Sequence, residues 1–174
     1  MTRSFVAVAC CASLLLSAAQ AGEEPGQWYV TPMLSAFYGD SSRNADDDFG
    51  AALALGRAYD AFNVEAHANY YDLGGYNGTE IWSVGADFVK VLYRPNRISA
   101  LMIGGVGYTD SAQDREEDSS NMYANMGFGL LTDFSADGKG MALRTEVRYR
   151  LDFADPTQND WVGNIGLQIP FGGQ

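Results

Sequence analysis

Apolar and polar side chains alternate along this chain with a period of two, and that rhythm limits what it can fold into more than any other feature. Over 143–151, Leu143, Thr145, Val147, Tyr149 and Leu151 fall on one face, and Arg144, Glu146, Arg148 and Arg150 fall on the other. A β-strand sends successive side chains to opposite faces, whereas a helix would mix the two sets. The same rhythm recurs in 62–70, where Phe62, Val64, Ala66, Ala68 and Tyr70 oppose Asn63, Glu65, His67 and Asn69. It recurs in 122–130, and again in 161–171, where Trp161, Gly163, Ile165, Leu167, Ile169 and Phe171 oppose Val162, Asn164, Gly166, Gln168 and Pro170. One face is bulky and apolar and the other is small or polar. The bulky face needs something apolar against it, and lipid fits.

Read this way, the chain contains eight strands and no helix: 27–38, 49–58, 62–72, 79–93, 98–109, 122–132, 141–152 and 161–171. Helical periodicity is not sustained for two turns anywhere after residue 21. The phase of the fifth strand is left open around Gly104-Gly105, where a bulge could shift it. Eight strands of about ten residues, separated by turn chemistry, is the count of the smallest transmembrane β-barrels. The expected fold is therefore all-β, an antiparallel up-and-down barrel.

The first 21 residues belong to a different class. Arg3, the apolar run from Phe5 to Leu16 and the small-x-small triplet Ala19-Gln20-Ala21 read as a secretory signal cleaved after Ala21. The apolar run is too short for a spanning helix, which needs about 20 apolar residues. Cys10 and Cys11 precede most of that run, which speaks against a lipoprotein, and both leave with the signal. The expected organisation is a leader over 1–21 and one barrel domain over 22–174, with no thiol, disulfide or cysteine-based metal site.

The full chain has 22 acidic and 11 basic residues, a formal charge of −11, and loss of Arg3 makes it one unit more negative. Nucleic acid is excluded as a partner, because phosphate binding needs a basic footprint. No apolar stretch after the leader is long enough for a transmembrane helix. The slightly negative mean hydropathy does not count against membrane strands, since their alternation averages out.

Connections sort into two kinds. Those after the second, fourth and sixth strands ("YDAF", "RPNR", "FSADGKG") are short or turn-like. Those after the odd strands ("GDSSRNADDD", "GGYNG", "DSAQDREEDSSN", "FADPTQND") are mostly longer and acidic. Outer-membrane barrels turn tightly on the periplasmic side and carry longer loops outside. Asp46, Asp47, Asp48, Asp114, Glu116, Glu117 and Asp118 are thereby expected in outer loops. They read as solvated or, in the sharper version, as weak shared sites for divalent cations bridging to lipopolysaccharide phosphates. Aromatics gather at strand ends. Tyr38, Phe49, Tyr70, Trp82, Tyr108, Tyr123, Phe153 and Trp161 mark the outer end, and Trp28, Tyr59, Phe62, Tyr93, Phe134 and Phe171 the inner end. Two such belts suit the two interfaces of a bilayer.

The stretches "QWYVTPMLSAFYGD", "GAALALGRAYD", "ALRTEVRYRLDF" and "NIGLQIPFG" resemble the transmembrane domain of the outer-membrane protein A (OmpA) family, over Trp28 to Phe171. The resemblance implies a barrel in the outer membrane of a Gram-negative cell, in contact with its lipid and lipopolysaccharide, acting mainly as a structural or surface-interaction protein and as a monomer. The last strand also resembles the address read by the barrel-assembly machinery, through Asn164, Gly166 and Phe171, with Ile169 where that pattern has an aromatic residue. Many relatives continue into a periplasmic peptidoglycan-binding domain. This sequence stops at Gly-Gly-Gln, so no such domain and no wall-tethering role is expected.

With the apolar face in lipid, Glu65, His67, Asp87, Arg144, Glu146, Arg148 and Arg150 point into the lumen and read as an interior salt-bridge network, since buried charges need partners. His67 is the single histidine. No serine nucleophile constellation accompanies it, so a catalytic role is not expected, nor a cofactor or metal. The alternatives weighed are a narrow pore, a lipid-A-modifying barrel enzyme and a soluble lipocalin-like carrier with its apolar residues turned inward.

Overall fold

The computed structural model describes residues 25–40, 48–73, 79–93, 97–113, 119–135 and 140–172. The leader, Asp46, Asp47, Asp114, Glu116, Glu117 and Asp118 lie outside the described residues. The strands are β1 (Trp28–Tyr38), β2 (Asp48–Ala58), β3 (Asn63–Leu73), β4 (Thr79–Tyr93), β5 (Ile98–Gln113), β6 (Ser119–Asp133), β7 (Ala142–Asp152) and β8 (Gln158–Phe171). Each pairs antiparallel with its chain neighbours, and β8 closes on β1 with Trp28 opposite Phe171 and Tyr38 opposite Trp161. Closure leaves no unpaired sheet edge. Both ends of the described chain come to the same rim, and the connections after β2, β4 and β6 lie at that rim too.

Three strands run at least three residues past their expected limits. β5 continues to Gln113, β6 begins at Ser119 and β8 begins at Gln158. The added residues are polar, but their backbones are paired, and Ser120 Oγ donates to Asp110 Oδ1 at 2.8 Å across the β5–β6 ladder. Polarity marks a strand's end only where no neighbour takes its backbone hydrogen bonds. The phase of β5 is continuous through Gly104 and Gly105. The irregularity falls instead in β4, between Val91 and Tyr93.

The two faces are inverted relative to a soluble protein. Phe49 is 76 % and Leu34 71 % exposed on the outer wall, while Arg144 and Glu65 are fully buried inside. This excludes the soluble carrier, which would need its apolar residues inward. Apolar residues do enter the lumen near both ends. Phe37, Tyr71, Leu73, Ile81 and Val162 cluster away from the termini. Val89, Leu101, Ile103, Leu131 and Ala142 cluster at the termini rim. The charged middle is thus stoppered above and below.

Tyr123 departs from its expected place in the outer belt. It is buried inside the barrel, in phase with Asn125 on β6. Room for its ring comes from glycines on the neighbouring strands: a Cβ on Gly85 would stand 2.7 Å from its hydroxyl and 2.8 Å from His67 Cε1, and one on Gly107, its partner in the β5–β6 ladder, would strike the ring itself. The other belt residues with described side chains point outward or lie at the rims; Tyr70 is half-buried there because its ring packs on that of exposed Trp82.

Candidate functional site: the lumen charge network

The network follows from strand parity. β7 places Arg144, Glu146 and Arg148 in one inward column, β3 contributes Glu65 and His67, and β4 contributes Asp87. Glu65 and Asp87 are directly opposite in the β3–β4 ladder, an unfavourable arrangement for two like charges. The far wall relieves it. Arg144 clamps Glu65 with Nη1 at 2.5 Å from Oε1 and Nη2 at 3.0 Å from Oε2. Arg148 Nη1 reaches Asp87 Oδ2 at 2.5 Å. Glu146 sits between the two guanidiniums, accepting from Arg144 Nε at 2.8 Å and from Arg148 Nε at 2.7 Å. The result is a chain of alternating sign across the lumen: Glu65, Arg144, Glu146, Arg148, Asp87.

Neutral donors fill the remaining acceptor positions. Tyr29 Oη donates to Glu65 at 2.7 Å, Asn164 Nδ2 to Glu146 at 2.8 Å and Asn125 Nδ2 to Asp87 at 3.0 Å. Ser35 in turn donates to Asn164 Oδ1. The ring of Tyr29 fits because Gly56 faces it; a Cβ there would overlap the ring. His67 lies between Asp87 and Tyr123, with Nδ1 at 2.9 Å from Asp87 Oδ2 and Nε2 at 2.6 Å from Tyr123 Oη. The first contact is a close approach of ring nitrogen to carboxylate rather than an aligned hydrogen bond, since Nδ1 has no well-directed partner.

Six of the seven lumen residues singled out from the sequence come together in this way. Arg150 stands apart, pairing with Asp152 at 2.8 Å and lying over the Tyr123 ring at 4.1 Å. Tyr29, Ser35, Asn125, Tyr123 and Asp152 escaped the sequence reading. All have inward parity, which was the available signal, but two are aromatics at strand ends and look like belt residues.

Among the described residues a lumen cavity of about 20 Å³ lies beside His67, Tyr123, Asn125, Arg148 and Arg150, enough for about one water. Asn125 Oδ1 is buried there without a hydrogen-bond partner. Asp87, His67 and Tyr123 form an acid–base–hydroxyl line, but a cavity of this size admits no substrate. Among the described residues, no cluster of three or more His, Cys, Asp or Glu is placed to hold a metal ion.

The residues of the terminal address divide between the two faces. Asn164 belongs to the lumen network, and Gly166 lies so close to Pro32 and Met33 that a Cβ would collide with the Pro32 carbonyl. Ile169 is half-buried, and Phe171 is exposed on the outer wall at the termini rim. Of the acidic loop residues, Asp48 is described, opening β2 and accepting the Phe49 amide at 2.7 Å.

A profile of the family described as "Outer membrane protein beta-barrel domain" matches residues 7–171. Among solved structures, Neisserial surface protein A (NspA) superposes with a TM-score of 0.73 at 12% identity, over 83% of this chain and 97% of that one. The N-terminal β-barrel domain of Pseudomonas aeruginosa OprF gives a TM-score of 0.54 at 15% identity, over 84% and 99%. Ail, the attachment invasion locus protein of Yersinia pestis, gives 0.53 at 13% identity, over 84% and 100%. At such identities these likenesses speak to fold. No curated protein matches the sequence.

Proposed function

Because the chain belongs to the outer-membrane β-barrel domain family and resides in the outer membrane, we propose that it works there as a closed, rigid platform that presents its acidic connections at the cell surface. The observation that carries this reading is the lumen, filled by an alternating ion chain and stoppered by an apolar cluster toward each end. An eight-stranded barrel has room inside for little more than side chains, and here the side chains use it. Charges held this way rigidify the barrel and offer ions no continuous aqueous path.

The same reading takes the leader to be removed after Ala21, the last strand to be recognised by the barrel-assembly machinery through Phe171, and the folded protein to be a monomer among lipid and lipopolysaccharide. Two fold neighbours are by name a surface protein and an attachment protein, in keeping with display as the role. The lumen offers nothing to a lipid-A enzyme, because His67 faces inward and away from the bilayer. Planar-bilayer recording of the refolded barrel is the test. Insertion without sustained conductance steps is expected. Steady ion-conducting openings in the unsubstituted protein would replace the platform with the narrow pore.

A further inference from the structure

Arg57 is a cation on the wrong side of the barrel. Its parity in β2 is that of Leu53 and Leu55, so it stands exposed on the lipid-facing wall. It lies at the termini rim, opposite Trp28 in the β1–β2 ladder and Val64 in the β2–β3 ladder. Its guanidinium carbon is 5.4 Å from the Trp28 ring centre and 5.6 Å from that of Tyr59. None of the lumen ion pairs engages Arg57. Lys90, near the same rim, is buried and gives its ammonium to the Ala61 carbonyl at 2.7 Å. Arg57 is therefore held by rings and left with its hydrogen-bonding edge unused.

We propose that Arg57, framed by Trp28 and Tyr59, is a binding site for the phosphate of an anionic phospholipid head group in the leaflet facing the chain termini. A guanidinium stacked on aromatic rings uses its faces for the cation–π contact and keeps its N–H fork for bidentate bonding to a phosphate. Trp and Tyr at that height are the ring types that settle at the head-group level. The occupant is a membrane lipid because the site opens sideways onto the bilayer. The proposal rests on membrane residence and not on the closed lumen, so it stands or falls apart from the conductance test. Charge on the wall supports this leaflet: the exposed residues Asp72, Glu80 and Asp110 near the opposite rim are all acidic.

Trp28 is itself the probe. The full chain, with Trp82→Phe and Trp161→Phe so that Trp28 alone fluoresces, is folded into phosphatidylcholine vesicles carrying a minor fraction of phosphatidylglycerol. Either lipid is brominated on its acyl chains near the head group. One basic residue near a charged surface favours an anionic lipid by roughly fivefold. Brominated phosphatidylglycerol should accordingly quench Trp28 about fivefold more per molecule than brominated phosphatidylcholine. Arg57→Gln should bring that ratio close to one, and Arg57→Lys should keep part of it, with folding checked by heat-modifiable gel mobility. A ratio near one with Arg57 present, or a ratio unchanged by Arg57→Gln, overturns the site. Should the Gln variant not fold, raising salt to about 0.5 M with Arg57 intact must collapse the ratio through screening; a salt-insensitive ratio overturns it equally.

Discussion

At the scale of single residues, the barrel depends on groups that are costly alone and tolerable together. Arg144 is fully buried and holds both Glu65 and Glu146. Arg144→Met leaves two carboxylates in the lumen without that cation, and breaking such a buried pair costs about 3–5 kcal/mol. Urea midpoints in lipid vesicles should fall accordingly, and adding Glu65→Gln should restore part of the loss, because the stranded charge is then gone. Equal midpoints for Arg144→Met and the unsubstituted protein would mean that water, not Arg144, solvates Glu65. The glycines belong to the same scale. Gly56 and Gly107 stand directly opposite Tyr29 and Tyr123 in their ladders, Gly85 one strand further round, and the absence of a side chain at these lumen positions makes room for the phenol rings. Nothing beside them in sequence announces that, since it is the strand register that sets Gly56 against Tyr29 and Gly107 against Tyr123.

At the scale of the element, β7 shows why parity could be read directly. From Arg144 on, its inward residues are charged and its outward ones are apolar, threonine or tyrosine, so each face has one suitable environment. Val147 is 53 % exposed on the outer wall, and lipid makes no close-fitting demand on its shape. Val147→Leu should be nearly silent, whereas Val147→Arg places a charge on the lipid face at about 2–4 kcal/mol. Folding yield and urea midpoints in vesicles decide it. A tolerated Arg beside a damaging Leu would reverse the outward assignment of β7. Other elements were less legible. In β5, glycines at 104, 105 and 107 carry no polarity to phase, and only the ladders to β4 and β6 settle which of them face inward. The ends of β5, β6 and β8 were misjudged because serine, aspartate and glutamine resemble loop composition until a neighbouring strand pairs with them.

At the scale of the whole molecule, closure places both termini and the connections after β2, β4 and β6 on one rim. The connections after the odd strands then share the other rim, and in our reading that rim faces the medium. Trypsin added to intact cells should cut, if anywhere, after Arg43 in the connection from β1 to β2 or after Arg115 in that from β5 to β6, the second cut dividing the barrel between those strands. Cleavage of intact cells at Arg94, Arg97 or Lys139, with Arg115 cut only after the outer membrane is opened, would invert the orientation. Mass spectrometry of the fragments distinguishes the two results.

Strand number, antiparallel order, the lipid-facing surface and the charged character of the lumen were all determined by local pattern, because a two-residue period needs no knowledge of what lies across the barrel. Six of the lumen charges could be named from that parity alone. Their pairing could not, since a side chain's partner inside a closed barrel stands on the far wall, and chain order says nothing about which residues meet there. Glu65 meets Arg144 across 79 positions and Asp87 meets Arg148 across 61, while Arg150, two residues beyond Arg148, turns to Asp152 instead. Strand tilt and register set those encounters. They also draw Tyr123 out of the expected aromatic belt and into the lumen, where its hydroxyl hydrogen-bonds His67 Nε2. Composition specified what the lumen contains, and only closure of the sheet decided who touches whom.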